Sequence, residues 1–84
     1  MDSDRLRGKT MAEAAYEVLS EVAGHTMHGR SILEAMARGG RPVEGRQPMS
    51  SLMSAMIRDP RIERVKSKTN YWRLAPGAVE AAKD

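Results

Sequence analysis

From residue 11 onward the chain sets apolar stripes between short polar punctuations. Met11, Ala14, Ala15, Val18, Leu19 and Val22 recur at helical spacing, and Glu13, Glu17 and Glu21 line the opposite side. Thr10 and Glu13 have the spacing of a capping box. There the hydroxyl accepts from the N–H of Glu13 and the carboxylate reaches back to the N–H of Thr10. Gly24 suits the residue just past a helix end. The pattern predicts a first helix over residues 11–22.

Thr26 and Met27 form a short extended step. A second helix is predicted over 29–38, with Ile32, Leu33 and Met36 as its stripe and Gly39-Gly40 as its stop. Residues 39–47 combine Gly39, Gly40, Pro42 and Gly45 with Arg41 and Arg46, and read as a long loop. Pro48 fits the first position of a third helix, where its missing N–H costs nothing. Met49, Leu52, Met53, Met56 and Ile57 follow at helical spacing, and Asp59-Pro60 ends the run near residue 58.

Residues 62–66 and 71–74 are β-compatible, and Ser67-Lys68-Thr69-Asn70 between them is turn chemistry, so a hairpin is expected. The fold class that follows is mainly α with a small β wing: a winged helix-turn-helix of three helices and a β-hairpin. Residues 1–9 are polar, without periodicity, and read as a flexible leader. The domain is expected over 10–75. Residues 76–84 read as a C-terminal tail or short helix.

Composition narrows the classes. With 84 residues the chain makes one small domain, which buries only ~60–65% of the surface its unfolded form exposes. There is no cysteine, hence no disulfide, thiol nucleophile or cysteine-type zinc site. No apolar run approaches the ~18 residues of a membrane span. The opening Met-Asp-Ser-Asp-Arg lacks the apolar core of a secretory signal, so the expected location is cytoplasmic, at the nucleoid if the source is bacterial.

Charge is segregated. Glu13, Glu17, Glu21 and Glu34 against Arg30 give residues 10–37 a net of −3. Nine cations against Glu44, Asp59 and Glu63 give residues 38–73 a net of +6. An acidic half and a basic half suit an oriented contact with a polyanion, although a solvated surface with chance segregation has the same signature.

Several stretches resemble the HARE-type helix-turn-helix family. Thr-Met-Ala-Glu-Ala-Ala-Tyr-Glu-Val-Leu, residues 10–19, is similar to its opening helix. Thr26-Met27-His28-Gly29-Arg30-Ser31-Ile32 resembles its Pro-Leu-His-x-x-Glu-Ile step into helix 2. Gln47-Pro48 through Leu52, Met56 and Asp59 is similar to its Thr-Pro-x-x-Thr-Leu helix 3, and Ile62, Val65 and Trp72-Arg73-Leu74 follow its aromatic wing. The likeness covers residues 10–74, with Gln47 in place of Thr, Ser31 in place of an acidic residue and Trp72 in place of Phe. It implies a winged-helix module that brings DNA-linked machinery to its target, without chemistry of its own.

The candidate site follows from these elements. With Leu52 and Met56 inward, Ser50, Ser51, Ser54 and Arg58 face outward from helix 3, and Gln47 and Arg46 precede it. Serine hydroxyls bind phosphates or base edges with little discrimination. Arg64, Lys66, Lys68 and Asn70 on the hairpin suit backbone contact, while cations there also guard edge strands from pairing. Of Tyr71 and Trp72 only one points inward, and Trp72, sharing a face with Leu74, is expected in the core.

The expected partner is double-stranded DNA, held mainly through phosphates with low sequence specificity. The alternative is a module docking on a protein of the transcription or DNA-modification machinery through the methionines of helix 3 (Met49, Met53, Met56) and the acidic face of helix 1. Methionine also simply fills thin cores. His25, His28 and Glu21 have no second-shell pattern, so no metal is expected; the resemblance places His28 at the family's histidine position before helix 2, which implies a capping role. No catalytic constellation is present, and no cofactor, membrane or small-molecule substrate is expected.

Overall fold

The structure, a computed structural model, describes residues 4–22 and 24–77. Among the described residues it combines helices with a three-stranded antiparallel sheet. Helix α1 (Met11–Ser20) is followed by strand β1 (Met27–His28), helix α2 (Gly29–Arg38), helix α3 (Pro48–Arg58), strand β2 (Ile62–Arg64) and strand β3 (Tyr71–Leu74). The sheet order is β1-β3-β2, with Met27 opposite Trp72 and Ile62 opposite Leu74. The three helices pack against one another, and α3 also packs on β2.

The helix ends follow the chemistry of their caps. Thr10 Oγ1 accepts from the N–H of Glu13 at 3.1 Å, the first arm of the expected capping box. The second arm goes elsewhere: the Glu13 carboxylate meets Arg61 at 2.8 Å. The helix stops at Ser20 rather than 22, because Glu21 and Val22 donate to Val18 and Leu19, three residues back, and tighten the last turn. His28 caps α2, its Nδ1 accepting from the N–H of Arg30 at 3.0 Å. Helix α3 starts at Pro48 with no side-chain bond from Gln47. It ends at Asp59, whose Oδ1 accepts from the N–H of Arg61 at 2.9 Å.

The core holds Val18 and Leu19 of α1, Ile32 and Met36 of α2, Leu52 and Met56 of α3, and Ile62, Trp72 and Leu74 of the sheet. Trp72 is fully buried, as its strand alternation requires. Leu6 is also 0% exposed. Residues 4–9, read from sequence as a flexible leader, therefore contribute an anchor. The Leu6 N–H donates to the carbonyl of Gly39 at 2.9 Å, and Arg5 pairs with Glu21. Gly39 is needed for this approach, since a Cβ there would lie 2.6 Å from Cδ1 of Leu6. An isolated leucine among charges carries no periodicity, so no pattern in the sequence marked it.

The extended step before α2 also does more than link. It falls one residue later than Thr26-Met27, at Met27 and His28, and these two pair with β3 as the third strand of the sheet. Strand β2 is shorter than the expected 62–66, although Val65 still donates to the carbonyl of Tyr71 at 2.9 Å. Most of the tail expected over 76–84 lies outside the described residues.

Candidate nucleic-acid interface

Helix α3 turns Leu52 and Met56 inward, so the residues one half-turn away face solvent. Ser50, Ser51, Ser54 and Arg58 are all exposed, as are Arg46 and Gln47 just before the helix. Ile57 belongs to this outer face as well. It was counted with the apolar stripe, yet it is 61% exposed. Residue 57 lies about 100° round the helix from Met56 and about 140° from Leu52, too far to reach the same core. Met49 and Met53 are half-buried, with Met53 packed against the core rather than projecting from it.

The turn between β2 and β3 is fastened by Asn70. Its φ of 58° is left-handed, a conformation that asparagine tolerates better than most residues. Its carbonyl accepts from the N–H of Gly29 at 2.9 Å. Its Oδ1 accepts from the indole N–H of Trp72 at 2.8 Å, and its Nδ2 lies 3.4 Å from the sulfur of Met49. Gly29 leaves the necessary room: a Cβ there would lie 2.5 Å from Oδ1 of Asn70. The turn that carries Lys66 and Lys68 is thus held against the first turns of α2 and α3.

This removes Asn70 from the residues available to a ligand. Its amide is committed on both sides, and its part in the site is to position the turn. Tyr71, expected to face outward, is half-buried, its ring centroid 5.1 Å from that of His28 in an edge-to-face contact and Lys68 Nζ 5.1 Å over it. The His28 contact was invisible in the sequence, because it joins residues brought together only by the pairing of β1 with β3.

Ion pairs divide the cations into two groups. Arg61 is bidentate to Asp59, reaches Glu13, and lies 4.1 Å over the ring of Tyr16. The Arg61 hydrogen bonds hold the Asp59 carboxyl below the usual carboxylate range despite its burial, and the same pairing raises the guanidinium of Arg61. Arg73 is taken by Glu63 at 2.8 Å. Arg41 donates to the carbonyls of Lys9 and Pro42 and so ties the loop to the segment before α1.

By contrast, Arg46, Arg58, Arg64, Lys66 and Lys68, like Arg30 and Arg38 of α2, are exposed and have no ion-pair partner among the described residues. Arg64 alternates with Glu63 and so emerges on the sheet face of the buried Ile62, the face toward α3. The acidic face of α1 is partly cancelled, since Glu13 and Glu21 are both paired. Unbalanced positive charge therefore collects at both ends of α3 and on the neighbouring hairpin, together with three exposed serines.

Among the described residues, no group of three or more histidine, aspartate or glutamate side chains is placed to hold a metal ion. No helix among them is long and apolar enough to cross a membrane. Comparison of the chain with protein-family models, with curated proteins and with solved structures gave no match.

Proposed function

We propose that the chain is a winged helix-turn-helix domain that binds double-stranded DNA, with α3 as the groove-facing helix and the β2–β3 hairpin as the wing. Membership of the HARE-type family and a cytoplasmic location belong to the same proposal. Contacts are led by phosphates: Arg46, Arg58, Arg64, Lys66 and Lys68 supply charge, and Ser50, Ser51 and Ser54 supply small hydrogen-bonding groups. No side chain in the first two turns of α3 offers a bidentate base contact, so specificity is low. The domain binds and positions; it carries out no chemistry.

The observation that carries this reading is the fastening of the hairpin turn to α3 through Asn70 and Met49. It makes one surface of two elements whose cations are otherwise uncompensated. Titration of a short duplex into labelled protein tests it. Amide shifts should concentrate on residues 46–58 and 64–69. Shifts confined to α1 and the segment before it would contradict the reading.

A second reading has one observation in its favour. Ile57, exposed beside half-buried Met53, forms an apolar spot on α3 that suits a protein partner. The same titration separates the two, since a protein-docking module would show no localised response to DNA.

A further inference from the structure

Strand β2 has β3 on one side and, among the described residues, no strand on the other. Two bonds flanking it set which backbone groups face outward. Val65 N–H donates to the Tyr71 carbonyl at 2.9 Å, and Ala75 N–H donates to the Arg61 carbonyl at 2.8 Å. In an antiparallel ladder with this register, alternate residues bond to the partner strand. The odd-numbered residues therefore face β3, while Ile62 and Arg64 turn their backbone groups away from it. The N–H of Ile62 is already used, donating to the Asp59 carbonyl at 3.0 Å. The Ile62 carbonyl and both backbone groups of Arg64 remain on the open edge.

Along this edge runs an open groove of about 620 Å³ lined by Pro60, Ile62, Glu63, Arg64, Lys66 and Ala75. Its charge is one-sided. Glu63 is neutralised by Arg73, whereas Arg64 and Lys66 are exposed and unpaired among the described residues. These cations oppose pairing with the same edge of a second copy, since Arg64 would meet the partner's cations. They favour a strand of opposite sign.

We propose that the free edge of β2 accepts an extended acidic peptide segment of another protein as a further antiparallel strand. Arg64 exchanges both backbone bonds with one residue of that segment, and Arg64 and Lys66 side chains pair with its carboxylates. The inference does not rest on the DNA reading. It does imply that such a segment and DNA compete for Arg64 and Lys66.

The test is a titration of the full chain, without DNA, with a short blocked peptide alternating glutamate with valine and threonine. The expected result is amide shifts centred on residues 62–66, with slowed exchange of the Arg64 N–H. A peptide of the same charge, N-methylated at alternate backbone amides, should bind roughly tenfold or more weakly, the loss expected of two main-chain bonds. The exposed pair Arg64→Glu and Lys66→Glu should fold normally and prefer the lysine-substituted peptide instead. Equal binding of the methylated peptide would overturn the proposal, because attraction between charges alone would then account for the contact. So would shifts on α3 with the Arg64 amide unmoved, or no response at millimolar peptide. Duplex binding measured separately reports on the DNA reading, so the two can fail independently.

Discussion

Asn70 accepts the indole N–H of Trp72 at 2.8 Å, so the largest side chain of the core is hydrogen-bonded to the residue that shapes the exposed turn. A buried indole needs such a partner. The link couples stability to the placement of Lys66 and Lys68.

Asn70→Ala removes the acceptor and places alanine at φ 58°. The orphaned donor and the left-handed backbone should together cost about 2–4 kcal/mol. Asn70→Asp keeps an acceptor for Trp72 and should cost less. Urea unfolding of both variants checks the order. Equal stability of Asn70→Ala and the parent would mean that the turn is not anchored this way.

Leu6→Ala should destabilise the domain by about 2–5 kcal/mol, as much as Leu52→Ala, although Leu6 precedes every helix. That is a large part of the ~5–15 kcal/mol typical of a whole domain. The thermal midpoint of each variant is the measurement. An unchanged midpoint for Leu6→Ala would restore the view of residues 4–9 as a loose leader.

Asp59 gives the fold an acid-sensitive element. Its carboxyl is held below the usual value by Arg61, so its contribution is present above the unfolded value of about 3.9 and is lost as pH falls through the lower folded value. Asp59→Asn should cost about 1–3 kcal/mol at neutral pH. The gap to the parent should begin to narrow below about pH 4 and close as pH falls through the lower folded value. Urea midpoints at neutral and acid pH decide it; a gap that stays constant would exclude the carboxylate as its source.

Lys66→Ala combined with Lys68→Ala should weaken binding to every duplex sequence and make the salt slope shallower by up to about 2. Folding should change by no more than about 0.5 kcal/mol, because both side chains are exposed. Duplex affinity equal to the parent's would favour the protein-docking alternative.

Much of the fold was readable because its signals are local. Thr10, Pro48, Asp59-Pro60 and the helical stripes each act within a few residues, and they bounded α2 and α3 at the observed positions. What sequence reasoning missed is non-local. Leu6 is buried because Gly39, far along the chain, leaves room for it. Met27 and His28 become a strand because β3 supplies the partner. Asn70 looked like turn chemistry available to a ligand, and only its meeting with Trp72, Gly29 and Met49 reveals a fastener. Arg73 is neutralised because strand register sets Glu63 opposite it. Ile57 keeps helical spacing to Met53, yet its angle to Leu52 and Met56 turns it away from the core.

The central claim is that unpaired cations around α3 and the hairpin hold DNA by its phosphates. Duplex affinity measured from low to physiological salt tests it most directly. The expected plot of log affinity against log salt is linear, with a slope of about −0.9 per phosphate and about 3–6 phosphates contacted. Affinity that does not change over that range would contradict the claim.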